Sequence, residues 1–356
     1  MNKPQVIAFY LPQFYPTPEN DKWWGEGFTE WTNVAKSRPL FKGHYQPKLP
    51  GKLGFYDLRL PETREEQAKL AKEAGVSGFC YWHYWFNGRR LLDRVFTEVV
   101  NSGNPDFPFC LCWANHSWYQ KTWDPNKPNR LLIEQTYPGE EDYIAHFNAL
   151  LPAFKDKRYM KVGGKLIFGI FEADGIPSFS LMKEIWNQKA KENGIEGFYF
   201  FGLAQGERRA NLIVNEHYDA VVYDNIQTVY DRNWSLTRRA FDKILRRPHV
   251  INYEDYVEET IAYFKDHPNY IPCIIPNFDH SPRSGKKGII LHNSTPQKWE
   301  SLFREIYGLQ IKNESPLLVV KSWNEWGEGN YLEPDALFGD GYLKAINRVV
   351  GRYNLG

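Results

Sequence analysis

Glu73-Ala74-Gly75-Val76-Ser77-Gly78-Phe79-Cys80-Tyr81-Trp82-His83-Tyr84-Trp85 sets the reading of the whole chain. A helical segment, Arg64–Ala74, carries apolar residues three and four apart and stops on Gly75. Glycine takes the left-handed conformation that closes helices at little steric cost. Two residues later the chain enters an unbroken apolar run, as a strand buried on both faces requires. The run then leaves on indole, imidazole and phenol side chains. Helix, glycine, buried strand and a polar, aromatic exit make one unit of an α/β fold.

The same unit recurs. Strand-like runs lie at Val6–Leu11, Gly78–Tyr84, Pro108–Trp113, Lys165–Phe171, Gly197–Leu203, Ala220–Tyr223, Ile271–Pro276 and Leu317–Trp323. Helical periodicity appears at Arg64–Ala74, Asp142–Phe154, Ser180–Asn193, Tyr253–Phe264 and Pro296–Tyr307. Eight alternating units predict a single (β/α)₈ TIM barrel with long βα loops, spanning residues 1–356 as one catalytic domain. A doubly wound open sheet is the rival, but no strand runs into a glycine-rich phosphate turn. The chain shows no internal repeat, low-complexity tract or linker.

In a barrel of this kind the active site forms at the C-terminal ends of the strands. The exits read Pro12-Gln13-Phe14-Tyr15, Trp82-His83-Tyr84-Trp85, Trp113-Ala114-Asn115-His116, Phe171-Glu172, Tyr223-Asp224-Asn225 and Asn277-Phe278-Asp279-His280. Gln13, Trp82, His83, Trp113, Asn115, His116 and Asp279 are therefore candidate substrate contacts, with His280 and Glu172 open to either a site role or a structural one. Long loops cover 12–63, 114–140 and 225–252. In the first, Glu26 and Glu30 sit among Trp23, Trp24 and Trp31, as in a loop closing over a barrel mouth. The basic stretch from Arg238-Arg239 to Arg246-Arg247 fits a solvated helix face, or a contact to phosphate or a charged saccharide.

The last strand carries the chemistry. Leu317–Val320 leads into Lys321-Ser322-Trp323-Asn324-Glu325-Trp326-Gly327-Glu328-Gly329, with two carboxylates three residues apart among indoles. A glycosidic bond is made or broken with one group that moves a proton and another that handles developing positive charge, while flat rings stack on sugar faces. Glu325 and Glu328 are the candidate catalytic pair. The plainer alternative is a solvated acidic turn whose tryptophans belong to the core.

Composition narrows the classes. Lys and Arg (44) balance Asp and Glu (43), which speaks against a nucleic-acid partner or an anionic membrane surface. Aromatics make up 16% of the chain, a supply suited to lining a sugar site. Cys80, Cys110, Cys112 and Cys273 lie in strand-like runs without zinc spacing and read as reduced core thiols. A site of Asp224, Asp279 and His280 lacks metal-ligand spacing, so neither metal nor cofactor is expected. No signal-peptide core or run of roughly 18 apolar residues is present. A cytoplasmic protein with no membrane insertion is the expectation.

Asn324-Glu325-Trp326-Gly327-Glu328-Gly329, followed by Leu332-Glu333-Pro334, resembles the motif of glycoside hydrolase family 99, the endo-α-mannosidases and endo-mannanases. The chain resembles still more closely the related WbsX-like proteins, described as glycosyltransferases of surface polysaccharide synthesis. Ala8-Phe9-Tyr10-Leu11-Pro12-Gln13-Phe14, Gly78–Trp85 and Pro272-Cys273-Ile274-Ile275-Pro276-Asn277-Phe278-Asp279 match in the same order. The resemblance implies retention through a 1,2-anhydro sugar. Glu325 would deprotonate the sugar's own 2-hydroxyl, and Glu328, its pKa raised by Trp323 and Trp326, would protonate the leaving oxygen. It also implies sugar contacts at Tyr10, Tyr223, Asn324, Trp326 and Glu333. Gly327 departs from the hydrolases, which often carry histidine there, and the loops 12–63 and 225–252 depart as well.

The expected function is a retaining glycoside hydrolase acting on an α-mannoside-like linkage in an oligosaccharide or polysaccharide. The alternative is a glycosyltransferase or trans-glycosylase in lipopolysaccharide O-antigen or capsule synthesis; no DxD-type metal motif supports that alternative. A binding protein that has lost catalysis is a third class, opposed by the presence of both Glu325 and Glu328.

Overall fold

Eight parallel strands close on themselves: β1 (Gln5–Tyr10), β2 (Gly78–Phe86), β3 (Phe109–Trp113), β4 (Lys165–Ile170), β5 (Phe198–Ala204), β6 (Ala220–Tyr223), β7 (Ile271–Ile274) and β8 (Leu317–Val320). β1 pairs with β8 on one side and with β2 on the other, so the ring has no free edge. The computed structural model describes residues 3–120, 129–233 and 248–354. The basic stretch at 238–247 therefore lies outside the described residues. Each expected strand forms, with its ends moved by a few residues.

Helices cover the ring between strands: α1 (Pro61–Ala74), α2 (Arg94–Ser102), α3 (Glu140–Phe154), α4 (Phe179–Glu192), α5 (Glu207–Asn215), α6 (Tyr253–Asp266), α7 (Pro296–Lys312) and α8 (Gly341–Asn354). The sequence periodicity pointed to five of these. Outside those five, α2 carries Val95, Phe96 and Val99 at helical spacing, a buried stripe within nine residues, and α5 buries Ala210 and Ile213. Gly75 ends α1 at φ 92°, ψ 16°, and its N–H donates to the Ala71 and Lys72 carbonyls. This is the left-handed cap expected from the sequence.

The pleat decides which exit residues can reach the mouth, because successive side chains of a strand point to opposite faces. Along β2, Trp82 and Tyr84 face the cavity at the mouth. Tyr81, His83 and Trp85 turn outward, against Phe96 of α2 and His146 of α3. Phe9 of β1 stacks on Trp82 with ring centroids 4.4 Å apart, whereas the next residue, Tyr10, donates its hydroxyl to Gln67 of α1. The four cysteines are buried and unbridged.

Loops after β1, β3, β7 and β8 build most of the wall above the ring. The loop after β1 carries short helices Pro18–Trp24 and Glu30–Lys36. The loop after β7 contains Phe278–Asp279, the turn Ser281–Ser284 and the strand Ile289–His292, which pairs with His249–Asn252. The loop after β8 folds into the hairpin that holds the carboxylate motif.

Candidate active site

Asn324-Glu325 pairs antiparallel with Asn330-Tyr331, and Trp326–Glu328 forms a tight turn closed by Gly329 at φ 53°. Three side chains around the turn fix it from below. Asn324 clamps the end of β1, accepting from the Leu11 N–H at 2.7 Å and donating to its carbonyl at 3.0 Å. Trp326 stacks on Tyr331 with centroids 3.8 Å apart and donates Nε1 to Glu333 at 2.6 Å. Glu333, fully buried, also accepts from Tyr56 Oη at 2.8 Å and Gln67 Nε2 at 2.6 Å. Burial raises the Glu333 carboxyl to about 7, and these donors offset part of the rise.

With the turn pinned, Glu325 and Glu328 project into a cavity of about 550 Å³ at the barrel mouth. Trp82 Nε1 donates to Glu325 Oε1 at 3.0 Å. Arg283 bridges the pair: Nη1 lies 2.5 Å from Glu328 Oε1 and Nη2 lies 3.3 Å from Glu325 Oε2. The same guanidinium reaches Glu30 Oε2 at 3.0 Å. Lys321, at the end of β8, enters the cavity while paired with Asp224 at 3.2 Å. His280 Nε2 approaches Glu328 at 3.8 Å.

These neighbours split the two carboxyls. Burial, reinforced by the Glu328 charge, raises Glu325 to about 7. Burial alone would raise Glu328 too, but Arg283, Lys321 and His280 outweigh it and hold Glu328 low, near 2. The expectation that tryptophans raise Glu328 is thus reversed. Trp323 packs on Phe79 and Trp326 on Tyr331, both inside the core, so neither walls the acid. As pH falls through about 7 the pair takes up one proton, and burial at Glu325 with cations around Glu328 favours Glu325 as its seat in the ligand-free protein.

Of the candidate contacts, Gln13, Trp82 and His116 line the cavity. Burial lowers His116 to about 4, and its buried Nδ1 has no hydrogen-bond partner among the described residues. The others do not reach the cavity. Tyr10, His83, Trp113 and Tyr223 lie on the outward face of their strands; His83 meets His146 at 2.8 Å, Trp113 donates to the Trp85 carbonyl, and Tyr223 stacks on Tyr263 of α6. Asn115 braces the exits of β3 and β4, accepting from the Glu172 N–H and donating to its carbonyl, each at 2.8 Å. Asp279 sits behind the catalytic turn, bonded to His44 at 2.7 Å and Gln46 at 2.6 Å. Asn324, Trp326 and Glu333 support the turn from beneath.

The sequence reading passed over Arg283 and Lys321. Nothing in Ser281-Pro282-Arg283-Ser284 separates that arginine from a surface one, and Lys321 falls inside the expected strand Leu317–Trp323. The tryptophan-rich loop divides: Trp24 and Glu30 line the mouth, while Trp31 packs beneath against Phe14, Tyr56 and Trp326. Among the described residues no group of His, Cys, Asp and Glu side chains could hold a metal ion. Among them, too, no helix is long and apolar enough to cross a membrane.

Comparison with known proteins agrees with this fold. Residues 6–346 match the family described as Glycosyltransferase WbsX. The protein WxcX of two Xanthomonas campestris pv. campestris strains is 33% identical over 363 aligned residues, 98% of this chain and 50% of the relative. The chain thus spans about half the length of the curated relatives it matches. Among solved structures, the family 99 endo-α-mannosidase of Bacteroides thetaiotaomicron superimposes with a TM-score of 0.61 at 16% identity, covering 100% of this chain and 99% of the other. A glycoside hydrolase-like protein gives 0.59 at 16% identity, covering 98% and 94%. At that identity the likeness is one of fold. The chain belongs to the WbsX glycosyltransferase family.

Proposed function

We propose that this WbsX-family barrel breaks and remakes a glycosidic bond with retention, with an α-mannoside-like sugar as donor and Glu325 and Glu328 as the reacting pair. The observation that carries the reading is the single Arg283 guanidinium bridging both carboxylates at the mouth of the barrel. Burial at Glu325 and the closer cations at Glu328 set the two carboxyls apart, so that one can hold a proton while the other is ionised, which is what a reaction needing one base and one acid requires.

In the first step Glu325 takes the proton of the sugar's 2-hydroxyl. The freed oxygen bonds to the anomeric carbon as the glycosidic C–O bond breaks, and Glu328 gives its proton to the departing oxygen. In the second step Glu328 takes a proton from water or an acceptor hydroxyl, whose oxygen opens the 1,2-anhydro ring. Glu325 returns the proton to O2. The resting protonation is the opposite of the one this cycle starts from. A sugar that loosens the Arg283–Glu328 contact removes the largest of the effects that hold Glu328 low, and so moves the shared proton toward it.

Hydrolysis is the first reading and glycosyl transfer the second; the family description favours transfer. Incubation with α-mannoside oligosaccharides, with and without a saccharide acceptor, and separately with nucleotide sugars, distinguishes them. Free reducing sugar supports hydrolysis. A lengthened acceptor formed from the oligosaccharide donor supports trans-glycosylation. Consumption of a nucleotide sugar alone would displace the anhydro-sugar reading.

A further inference from the structure

Glu30 is the third carboxylate at Arg283, and the motif does not contain it. It begins the helix Glu30–Lys36 in the loop after β1, and only 3% of its surface is exposed. Its backbone N–H donates to the Gln13 carbonyl at 3.2 Å, and the adjacent Trp31 packs on Trp326 with centroids 5.6 Å apart. The carboxylate is thereby fixed beside the catalytic turn. Its Oε2 takes the Nε–Nη2 edge of Arg283, at 3.3 and 3.0 Å, while Glu328 takes Nη1.

Gly327 makes room for this. A Cβ at position 327 would overlap the Glu30 carboxylate and lie 3.0 Å from Arg283 Nε. The residue between Trp326 and Glu328 is therefore small because Glu30 occupies the space its side chain would take.

We propose that Glu30 is a positioning residue for the catalytic pair: seated over Gly327, it occupies one edge of the Arg283 guanidinium and so keeps that cation from neutralising Glu325 and Glu328 together. This rests on the assignment of Glu325 and Glu328 as the reacting pair. The other charged and titratable groups facing the pair are Lys321 from β8, His280 beside Arg283, Tyr84 from β2 and, through Lys321, Asp224 from β6. Asp279 and Lys48 lie behind Gly329. Arg283 stays in place without Glu30, because Glu328 holds it at 2.5 Å. Removing Glu30's charge then leaves more of the guanidinium to the pair and takes away a like charge, and both changes favour the ionised pair.

The test is a pH titration by NMR of the full chain labelled with ¹³C at glutamate carboxyls, with Glu325→Gln and Glu328→Gln spectra supplying the assignments. In Glu30→Gln, which keeps the side chain's shape, the upper midpoint of the pair should fall by roughly half a pH unit or more. Gly327→Ala, which displaces the carboxylate, should move it in the same direction, and serves if Glu30→Gln folds poorly. A midpoint that stays or rises in both variants overturns the proposal. The titration needs no substrate, so it stands or falls apart from the reaction assigned above. Where turnover is measurable, the high-pH limb of kcat should shift down by the same amount with KM little changed, which a merely structural role would not produce.

Discussion

Trp82 Nε1 donates a 3.0 Å hydrogen bond to Oε1 of Glu325, so an indole read from the sequence as a sugar wall also holds the catalytic carboxylate. Phe9 stacks on that indole, nearly parallel to it, and fixes its angle. Trp82→Phe keeps the stack and removes the donor. A hydrogen bond to a charged group contributes about 1.5–3 kcal/mol, so kcat should fall by about 10- to 100-fold at unchanged thermal stability. Steady-state kinetics beside a melting curve checks this.

Arg283 lowers both catalytic carboxyls. Activity requires the one-proton form of the pair and should decline as pH rises through about 7, where Glu325 gives up its proton. Arg283→Met removes a cation, raises both pKa values, and should move this limb to higher pH while cutting kcat/KM by about 100-fold, the range of an electrostatic clamp at a reacting centre. A pH–rate profile with an unmoved limb would separate Arg283 from the pair.

Tyr10 and Tyr223 face the helix layer, where Tyr10 bonds Gln67 at 2.7 Å and Tyr223 bonds Thr228 at 3.0 Å. Tyr10→Phe and Tyr223→Phe should each cost about 1 kcal/mol of stability and leave KM within twofold. Urea denaturation and saturation kinetics give the two numbers. A raised KM with unchanged stability would place these hydroxyls on the substrate.

Glu333, raised by burial to about 7, gives the folded protein a pH signature. A carboxyl whose folded pKa lies above its ordinary value contributes stability below about 4.5 and loses it as pH climbs toward about 7. The loss is on the order of 3 kcal/mol at one pH unit per 1.4 kcal/mol. Glu333→Gln cannot titrate and turns a donor toward Trp326, Tyr56 and Gln67. Its stability at pH 5 should fall well below the parent's, and the gap should narrow by pH 7.5. Equilibrium unfolding at the two pH values tests the sign; a gap that widens would contradict it.

The barrel was legible because continuous apolar strands and glycine-capped helices are local patterns, written in residues such as Gly75 and the run from Gly78. The candidate pair, Glu325 and Glu328, was legible because the carboxylates are neighbours in sequence. What surrounds them was less so. His83 and Trp82 are adjacent in the chain but face opposite layers, and an all-aromatic exit gives no polar–apolar alternation from which to tell the two faces apart. Arg283 and Glu30 meet from loops after β7 and β1, 253 positions apart, and no spacing rule connects them. Asp279 and Glu333 carried the residue types of a site and serve as buried braces, which only their partners reveal.

The central claim is that Glu325 and Glu328 work through the sugar's own 2-hydroxyl. The most direct measurement follows the first-formed product of an α-mannoside substrate by ¹H NMR, alongside the 2-deoxy analogue. The account predicts an α-configured first product, no covalent glycosyl-enzyme by mass spectrometry, and a 2-deoxy analogue that binds without turning over. An inverted product, or ready turnover of the 2-deoxy analogue, would contradict it.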